Sequence, residues 1–549
     1  MLARVQSFVL QGIDAIPCEI EVDIDESALN GSVTVGLPDA AVRESHERVR
    51  SAFANAGYRF PGGRLLINLA PADVRKEGPV YDLPIAVGVL IADGAISTRN
   101  GRVLAHSSVN SAGASPERGR ANTHGFAEKF PRITPEPTDF LDPRQCMIAG
   151  ELALDGRIRP VRGVLAMTLL ARSKGMRAVI VPSENATEAA VVEGIDVYGV
   201  ETLAQVVAML NGIIPAEPHP PVDVASLIEN VPAEVDFAEV RGQEAVKRAI
   251  TVSAAGRHNL LMLGPAGTGK TMMAKALPGV LPPLTCAEAL EVTRIYSAAG
   301  RTDTARHGGL ITARPVRTPH HTASAIAVIG GGAVPRPGEI SLAHRGILFL
   351  DELPEFPRTV LDTLRQPLED GRVTIARAHS AAVFPTRFML VAAMNPTAKG
   401  DMPVDEGGRR AMERYLGRIS RPLIDRIDIH VEAPAVAWKE LSAKDPKRTG
   451  TSSAQMRERV LRARDRQRQR QGEKLNSTLS GRELDVLASM DDDAREMLGA
   501  SITELGLSAR AYDKIRRVAR TIADIEGSDR LTLAHVAEAV QYRLLDRMV

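Results

Sequence analysis

Residues 264 to 271 read Gly-Pro-Ala-Gly-Thr-Gly-Lys-Thr, and the spacing G-x-x-x-x-G-K-T is one that phosphate chemistry requires. Side chains would obstruct a backbone that turns its N–H groups toward an anion, so Gly264, Gly267 and Gly269 leave the loop open, with Pro265, Ala266 and Thr268 completing it. Lys270 is spaced to reach the β- and γ-phosphates of ATP, and the Thr271 hydroxyl to ligate Mg2+. Asp351 and Glu352 set two carboxylates side by side. The first can hold magnesium through water, and the second can polarise the water that attacks the γ-phosphate. An amide at Asn395 could orient that water, although asparagine also suits a turn before Pro396. Arg426 is a candidate to act on a neighbouring subunit's nucleotide, with an ion pair to Asp425 or Asp428 as the rival reading. Arg510, opening a helix at Ser508-Ala509-Arg510, could close onto the γ-phosphate from the same subunit.

Three apolar runs are available to position these groups. Leu260 to Leu263 precedes the loop, residues 345 to 352 (Arg-Gly-Ile-Leu-Phe-Leu-Asp-Glu) end in the acidic pair, and residues 388 to 395 (Phe-Met-Leu-Val-Ala-Ala-Met-Asn) end in Asn395. Each reads as a buried strand with its polar residue at the carboxyl end. The 81 positions from Lys270 to Asp351 exceed what one helix and a strand need, so an insertion must lie between them. Gly308 to Gly338 carries Arg314, Arg317, His320, His321, glycines at 330 to 332 and Arg336, and reads as projecting basic loops that touch phosphates. No third ligand stands at useful spacing from the paired histidines, which favours a polar loop or substrate contact over a metal site. Ser452 to Lys474 reads as a helix with seven arginines and one lysine against three acids; a solvated face, a DNA contact and an intersubunit contact are all open.

At 549 residues the chain is expected to hold about three or four domains. Its 44% hydrophobic and 25% charged content excludes a disordered chain, and a formal net charge of +1 confines any nucleic-acid binding to local patches. Cys18, Cys146 and Cys286 stand too far apart for a disulfide framework or a zinc site, and an odd count fits a reducing cytoplasm. The longest apolar run, Leu83 to Ala92, is too short to cross a bilayer, so no membrane partner is expected. In the first 96 residues, strand-like stretches at Glu19 to Val22, Gly31 to Val35 and Arg64 to Asn68 alternate with a helical stretch, Ala40 to Ala56. From Ser97 to Arg144 periodicity fails and an exposed insertion is expected. Met147 to Arg159 reads as a hairpin turning at Asp155-Gly156, followed by a helix at Gly163 to Lys174, a strand at Ala178 to Val181 and a helix at Leu203 to Leu210. Pro215, Pro218, Pro220 and Pro221 then mark a linker.

Val35-Gly36-Leu37-Pro38-Asp39, Asn68-Leu69-Ala70-Pro71-Ala72-Asp73 and Gly150-Glu151-Leu152-Ala153-Leu154-Asp155-Gly156 resemble the Lon-protease-like domain at the front of the ComM/YifB family of magnesium-chelatase-like proteins. Asp236-Phe237-Ala238-Glu239-Val240-Arg241-Gly242-Gln243 resembles the segment that covers the adenine in AAA+ ATPases, which gives Gln243 a nucleotide contact. The order of phosphate loop, acidic strand, Asn395, Arg426 and Arg510 resembles an AAA+ ATPase of the magnesium-chelatase branch. Pro319-His320-His321-Thr322-Ala323-Ser324 and the run from Pro335 to His344 are similar to the ComM/YifB family in particular. The resemblance implies a multidomain α/β protein: a Lon-protease-like α+β domain at 1–212 with an insertion at 97–144, a linker at 213–235, an AAA+ P-loop α/β core with a parallel sheet at 236–435, and a C-terminal helical lid at 436–549. There are two departures. Relatives typically carry a cysteine cluster after Met-Asn-Pro, whereas this chain runs Thr397-Ala398-Lys399-Gly400 and has no cysteine up to Arg418, so a zinc role there is not expected. The other is the 97–144 insertion.

A Lon-type site needs a serine activated by a lysine. Lys76 to Leu90, where the nucleophile is expected, contains no serine, and Leu165 stands in the place of the lysine, so a proteolytically dead domain is expected. What the resemblance implies is a cytoplasmic, ATP-hydrolysing ring motor, a homohexamer that uses ATP and Mg2+. It would act on single-stranded or branched DNA as a helicase promoting branch migration in natural transformation. A chelatase-type ATPase subunit remodelling a protein partner and an ATP-dependent Lon-like protease are the alternatives.

Overall fold

The computed structural model describes residues 2–29, 31–97, 141–228, 235–302, 309–332, 335–377, 380–397, 406–436, 450–543 and 545. Most of the expected 97–144 insertion, and the start of the cysteine-free stretch after Asn395, lie outside the described residues. The chain divides into two compact units, residues 1–224 with 296–310, and residues 225–295 with 311–549.

The first unit is built on a mixed sheet. Its strands are β1 (Leu2–Gln11), β2 (Asp14–Asp25), β3 (Gly31–Val35), β4 (Arg64–Ala70), β5 (Cys146–Ile148), a separate pair β6 (Glu151–Leu152) and β7 (Ile158–Arg159), then β8 (Ala178–Pro182) and β9 (Asp196–Val200). The sheet order is β3-β4-β2-β1-β5-β8-β9. Antiparallel pairing joins β1 to β2 and β2 to β4, and the other neighbours run parallel. Helix α1 (Ala40–Asn55) starts where the Asp39 carboxylate accepts the Val42 N–H at 2.8 Å. Helix α2 (Asp82–Ala92) is buried along its whole length, and for that reason the apolar run it contains shows no helical period.

Three expectations need correction here. The hairpin is β6–β7 alone; Met147 belongs to β5 in the main sheet. The expected exposed insertion does not extend over Leu141, Asp142 and Pro143, which are buried, and Asp142 caps a short 3-10 turn. The proline-rich linker is partly tied down: the His219 N–H donates to the Val197 carbonyl and that of Val222 to Ala190.

In the second unit, β10 (Leu260–Leu263), β11 (Val316–Arg317), β14 (Ile347–Leu350), β17 (Met389–Met394) and β18 (Ile429–Glu432) form a parallel sheet ordered β11-β14-β17-β10-β18. Two hairpins stand apart, β12 (Gly330–Gly331) with β13 (Arg336–Pro337) and β15 (Arg372–Arg377) with β16 (Ser380–Pro385). Every residue of β10, β14 and β17 is buried, as central parallel strands covered on both faces require. Helix α3 (Glu244–Gly256) precedes β10 and α4 (Lys270–Ala276) follows it. The C-terminal region is helical, and its two longest helices are α5 (Ser453–Gln471) and α6 (Ala509–Glu526). One apolar core runs from Leu260, Phe349 and Val391 in the sheet to Met456, Ile515 and Ile522 in these helices and to Val536 in the helix Leu533–Gln541.

A buried polar network fixes α6 to the amino ends of β10 and β18. Lys514 Nζ lies 2.9 Å from Asp428 Oδ1, and the Asn259 N–H donates to Asp428 Oδ2 at 2.9 Å. Burial alone would raise the Asp428 carboxyl, but Lys514 and His258 pull it down to about 2. His258 Nε2 meets Thr521 Oγ1 at 2.8 Å, and Thr521 spends its own proton on the Arg517 carbonyl at 2.9 Å, so the ring donates from Nε2. Burial pushes His258 down to about 4, against the opposing pull of Asp428. Farther along α6, Asp524 accepts from Arg470, Arg520 and Asn476.

The arginine-rich stretch is helix α5, opened by a reciprocal cap between Ser452 and Gln455. Several of its arginines are structural. Arg464 donates to the Ala254 carbonyl at the end of α3, Arg466 to Gly527 and Asp529, and Arg470 to Asp524. Arg459, Arg462 and Arg468 are exposed. Among the described residues no helix is long and apolar enough to cross a membrane.

Candidate nucleotide site

Because β10, β14 and β17 run parallel side by side, the residues that follow them gather at one end of the sheet. Lys270, Asp351, Glu352 and Asn395 meet there. Lys270 Nζ donates to the carbonyls of Gly264 and Pro265, each at 2.7 Å, and to Asn395 Oδ1 at 3.2 Å. Burial draws the Lys270 ammonium below its ordinary range, opposed by the nearby Asp351 carboxylate. Thr271 Oγ1 donates to Asp351 Oδ2 at 2.6 Å, which places a hydroxyl and a carboxylate together where a hard cation would sit.

The loop between Gly264 and Lys270 suits an anion. The amides of Ala266, Gly267, Thr268 and Gly269 form no hydrogen bond among the described residues. Gly267 and Gly269 stand at φ +80° and +85°, and a Cβ at either would meet nothing within 4 Å. Gly264 serves a different purpose from the one its place in the motif suggests. Its N–H donates to the Met394 carbonyl at 3.2 Å, and a Cβ would fall 2.1 Å from the Ala433 oxygen, so this glycine lets the root of the loop pack against the end of β18. Gln243 lies just before α3 in left-handed backbone, φ +59°. Its Nε2 donates to the Pro434 carbonyl at 2.6 Å while its buried Oε1 has no partner among the described residues, an orphan acceptor matched to an amino group such as adenine carries. These features fit ATP with Mg2+.

Beside the acidic pair, a cavity of about 320 Å³ is lined by residues that include Thr271, Thr318, His320, His321, Asp351 and Glu352. Glu352 stands at φ +51°, rare for a residue with a Cβ, and its side chain is half exposed. His321 Nδ1 lies 3.4 Å from Glu352 Oε2. Sequence reasoning treated this histidine as part of a projecting loop. No signal in the sequence marks it: only the pairing of β11 with β14 brings the residues after the two strands out together. Arg314 and Arg317 do not project either. Arg314 donates to Pro282, Pro283 and Arg345 carbonyls and to Glu288, and Arg317 pairs with Glu339 at 2.5 Å. Only farther along the insertion is Arg336 exposed, in β13.

The two remaining arginines differ. Arg426 is tied down by Glu369 at 2.7 Å and by the carbonyls of Arg365 and Pro422, so its partner is neither Asp425 nor Asp428. Arg510, in the first turn of α6, is exposed and makes no hydrogen bond or ion pair among the described residues.

Residues 236–441 match the family described as magnesium chelatase, subunit ChlI, and residues 450–543 match the ChlI C-terminal family. A third family, subunit ChlI of Mg-chelatase, matches residues 20–109 and 136–185. The chain is 41% identical to the uncharacterized protein YifB of Salmonella typhimurium, covering 100% of this chain and 98% of the relative. It is 39% identical to competence protein ComM of Haemophilus influenzae with the same coverage, 100% and 98%. It is 24% identical to a magnesium-chelatase subunit ChlI homolog of Methanocaldococcus jannaschii, over 57% of this chain and 85% of the relative.

Proposed function

The chain belongs to the ComM/YifB family of magnesium-chelatase-like proteins, and from that premise we propose an ATP-hydrolysing AAA+ motor that works on DNA. The observation that carries the ATPase is the convergence of Lys270, Thr271, Asp351, Glu352 and Asn395 at the carboxyl ends of three adjacent strands. Phosphoryl transfer to water asks for positioning and charge stabilisation, and these residues supply both. Lys270 leaves the Gly264 and Pro265 carbonyls for the terminal phosphates, and the four unclaimed loop amides hold the phosphate oxygens. Glu352 accepts the proton of the attacking water while Asn395 orients it. Bound Mg2+, held through Thr271 and Asp351, supplies neutralisation of charge on the transferred group. Arg510 closes from the helical region of the same subunit. Arg426 reaches a neighbour's nucleotide once Glu369 releases it, which makes a ring, read as a hexamer, the working assembly.

The DNA substrate rests on the likeness to a protein named for competence. On that likeness the motor is a cytoplasmic helicase promoting branch migration on single-stranded or branched DNA. The first unit is read as a Lon-protease-like domain without protease chemistry, since residues 76–90 hold no serine and Leu165 is a buried leucine. A chelatase-type role on a protein partner is a second reading, favoured by the match of all three chelatase families along this chain. The deciding experiment measures hydrolysis with and without forked DNA, together with displacement of a labelled strand. DNA-stimulated hydrolysis with displacement is expected; hydrolysis indifferent to DNA with no displacement transfers the motor to a protein substrate.

A further inference from the structure

We propose that Arg257, Arg387 and Arg464 form an anion site at the amino ends of the second unit's strands, one that takes the phosphate groups of a polyanion. It lies at the end of the sheet opposite the nucleotide loop and goes beyond the ATPase reading. Four adjacent strands are each preceded, two or three positions earlier, by an arginine: Arg314 before β11, Arg345 before β14, Arg387 before β17 and Arg257 before β10. Because these strands run parallel, the four arginines gather along one edge. Toward β18 the amino ends are closed by the Asp428 network. Toward β14 and β17 they carry a surplus of positive charge.

The charges can be paired off. Arg314 takes Glu288 at 2.9 Å and Arg345 takes Glu291 at 2.8 Å, so two cations meet two carboxylates. The Arg387 N–H donates to His344 Nδ1 at 3.0 Å, which leaves Nε2 as the protonated nitrogen facing Glu291 at 3.2 Å. Burial draws His344 below its ordinary value, so the ring is neutral and adds no charge. Arg257, Arg387 and Arg464 are left over, and none of them has an ion pair among the described residues. Arg257 donates from Nη2 to the Arg387 carbonyl, and it does so from left-handed backbone at φ +59°. Arg464 donates from Nη2 to the Ala254 carbonyl at 2.8 Å, while its buried Nε has no partner among the described residues. Arg387 is exposed, and its guanidinium makes no hydrogen bond among the described residues.

Burial first, and then the neighbouring arginines, bring Arg257 and Arg464 down to about 9. A guanidinium keeps its proton at neutral pH, so the repulsion persists until an anion relieves it. The plainer reading makes Arg257 and Arg464 cations on the last carbonyls of α3. A helix end presents only about half an elementary charge, which three guanidinium groups exceed, and that reading has no use for Arg387. Neighbouring forked donors without a carboxylate match the oxygens of phosphate, whether in a nucleic-acid backbone or in a free polyphosphate.

The test uses the full-length chain saturated with a non-hydrolysable ATP analogue and Mg2+, so that the nucleotide loop is filled. Binding of a fluorescein-labelled single DNA strand is followed against salt concentration, and inorganic tripolyphosphate is titrated separately by calorimetry. The variants are Arg387→Gln, the double change Arg257→Gln with Arg387→Gln, and, as a charge control, Arg50→Gln at an exposed arginine of the first unit. The double variant is expected to bind at least one probe about tenfold more weakly. For the strand, the slope of log K against log salt should fall by about 0.7 per arginine removed. Arg387→Gln alone should show part of the loss with an unchanged melting temperature, because its side chain is unbonded. Loss toward the strand assigns backbone phosphodiesters as the ligand, and loss toward tripolyphosphate alone assigns a free polyphosphate. A wild type that binds tripolyphosphate but no strand removes the DNA reading and keeps the site. The proposal is overturned if the wild type binds neither probe, if the double variant binds both as the wild type does, or if Arg50→Gln causes an equal loss.

Discussion

The two ends of the second unit's sheet spend the same residue types in opposite ways. At the amino ends of β10 and β18, Asp428, Lys514, Thr521, Asn476 and His258 are buried and bonded to one another or to carbonyls, with only His258 Nδ1 left bare and facing Asp428 at 3.9 Å. At the carboxyl ends, Lys270 rests on two carbonyls, Gln243 keeps a buried orphan oxygen, four loop amides are unclaimed, and Gln243 and Glu352 sit in left-handed backbone. Polar groups that satisfy each other hold the helical region to the sheet. Polar groups left strained or underused mark the place a ligand completes.

That contrast can be broken by mutation. Lys514→Met leaves Asp428 buried without its cation and is expected to cost about 3–5 kcal/mol in urea unfolding. A loss below about 1 kcal/mol would mean the network is not structural. His258 offers a pH test with a defined sign. Its folded value of about 4 lies below the ordinary 6.5, so between those values the unfolded chain holds the extra proton. The stability from a neutral His258 is therefore complete above about pH 6.5 and lost as pH falls toward about 4, by up to about 3 kcal/mol. His258→Asn should flatten that slope, and identical slopes in both proteins would contradict the assignment. At the other end, Lys270→Ala is expected to weaken binding of a fluorescent ATP analogue by about 10- to 100-fold without lowering the unfolding midpoint. Arg510→Ala should slow hydrolysis by about tenfold and change stability by less than about 0.5 kcal/mol, because the side chain is exposed and unbonded. A destabilised Arg510→Ala would place α6's first turn on the structural side of the comparison.

Much of the nucleotide end was legible because its strands are short, continuously apolar and each followed by a polar residue. Leu260–Leu263 and Ile347–Leu350 could be read almost to their ends. The loop glycines were readable as a group but not individually: the motif does not say that Gly264 spends its amide on Met394 and its missing side chain on Ala433. His321 was not legible because it depends on β11, a strand of two residues with no pattern of its own. Arg314 and Arg317 looked like projecting charges because sequence shows charge without showing the carbonyls and glutamates that wait for it. In the first unit, α1 and β3 were read close to their observed bounds, whereas the hairpin was drawn too long because Met147 is as apolar as a hairpin strand would be. The network around Asp428 joins residues more than 80 positions apart and leaves no local trace.

The most direct test of the whole account is phosphate release from ATP by the wild-type chain beside Glu352→Gln, a change that keeps the side chain's shape and removes its ability to take a proton. The account predicts turnover by the wild type, a fall of at least about 10²-fold in the variant, and undiminished binding of a fluorescent ATP analogue by both. Equal turnover by the two proteins would contradict it, because the carboxylate at the end of β14 would then have no part in the reaction.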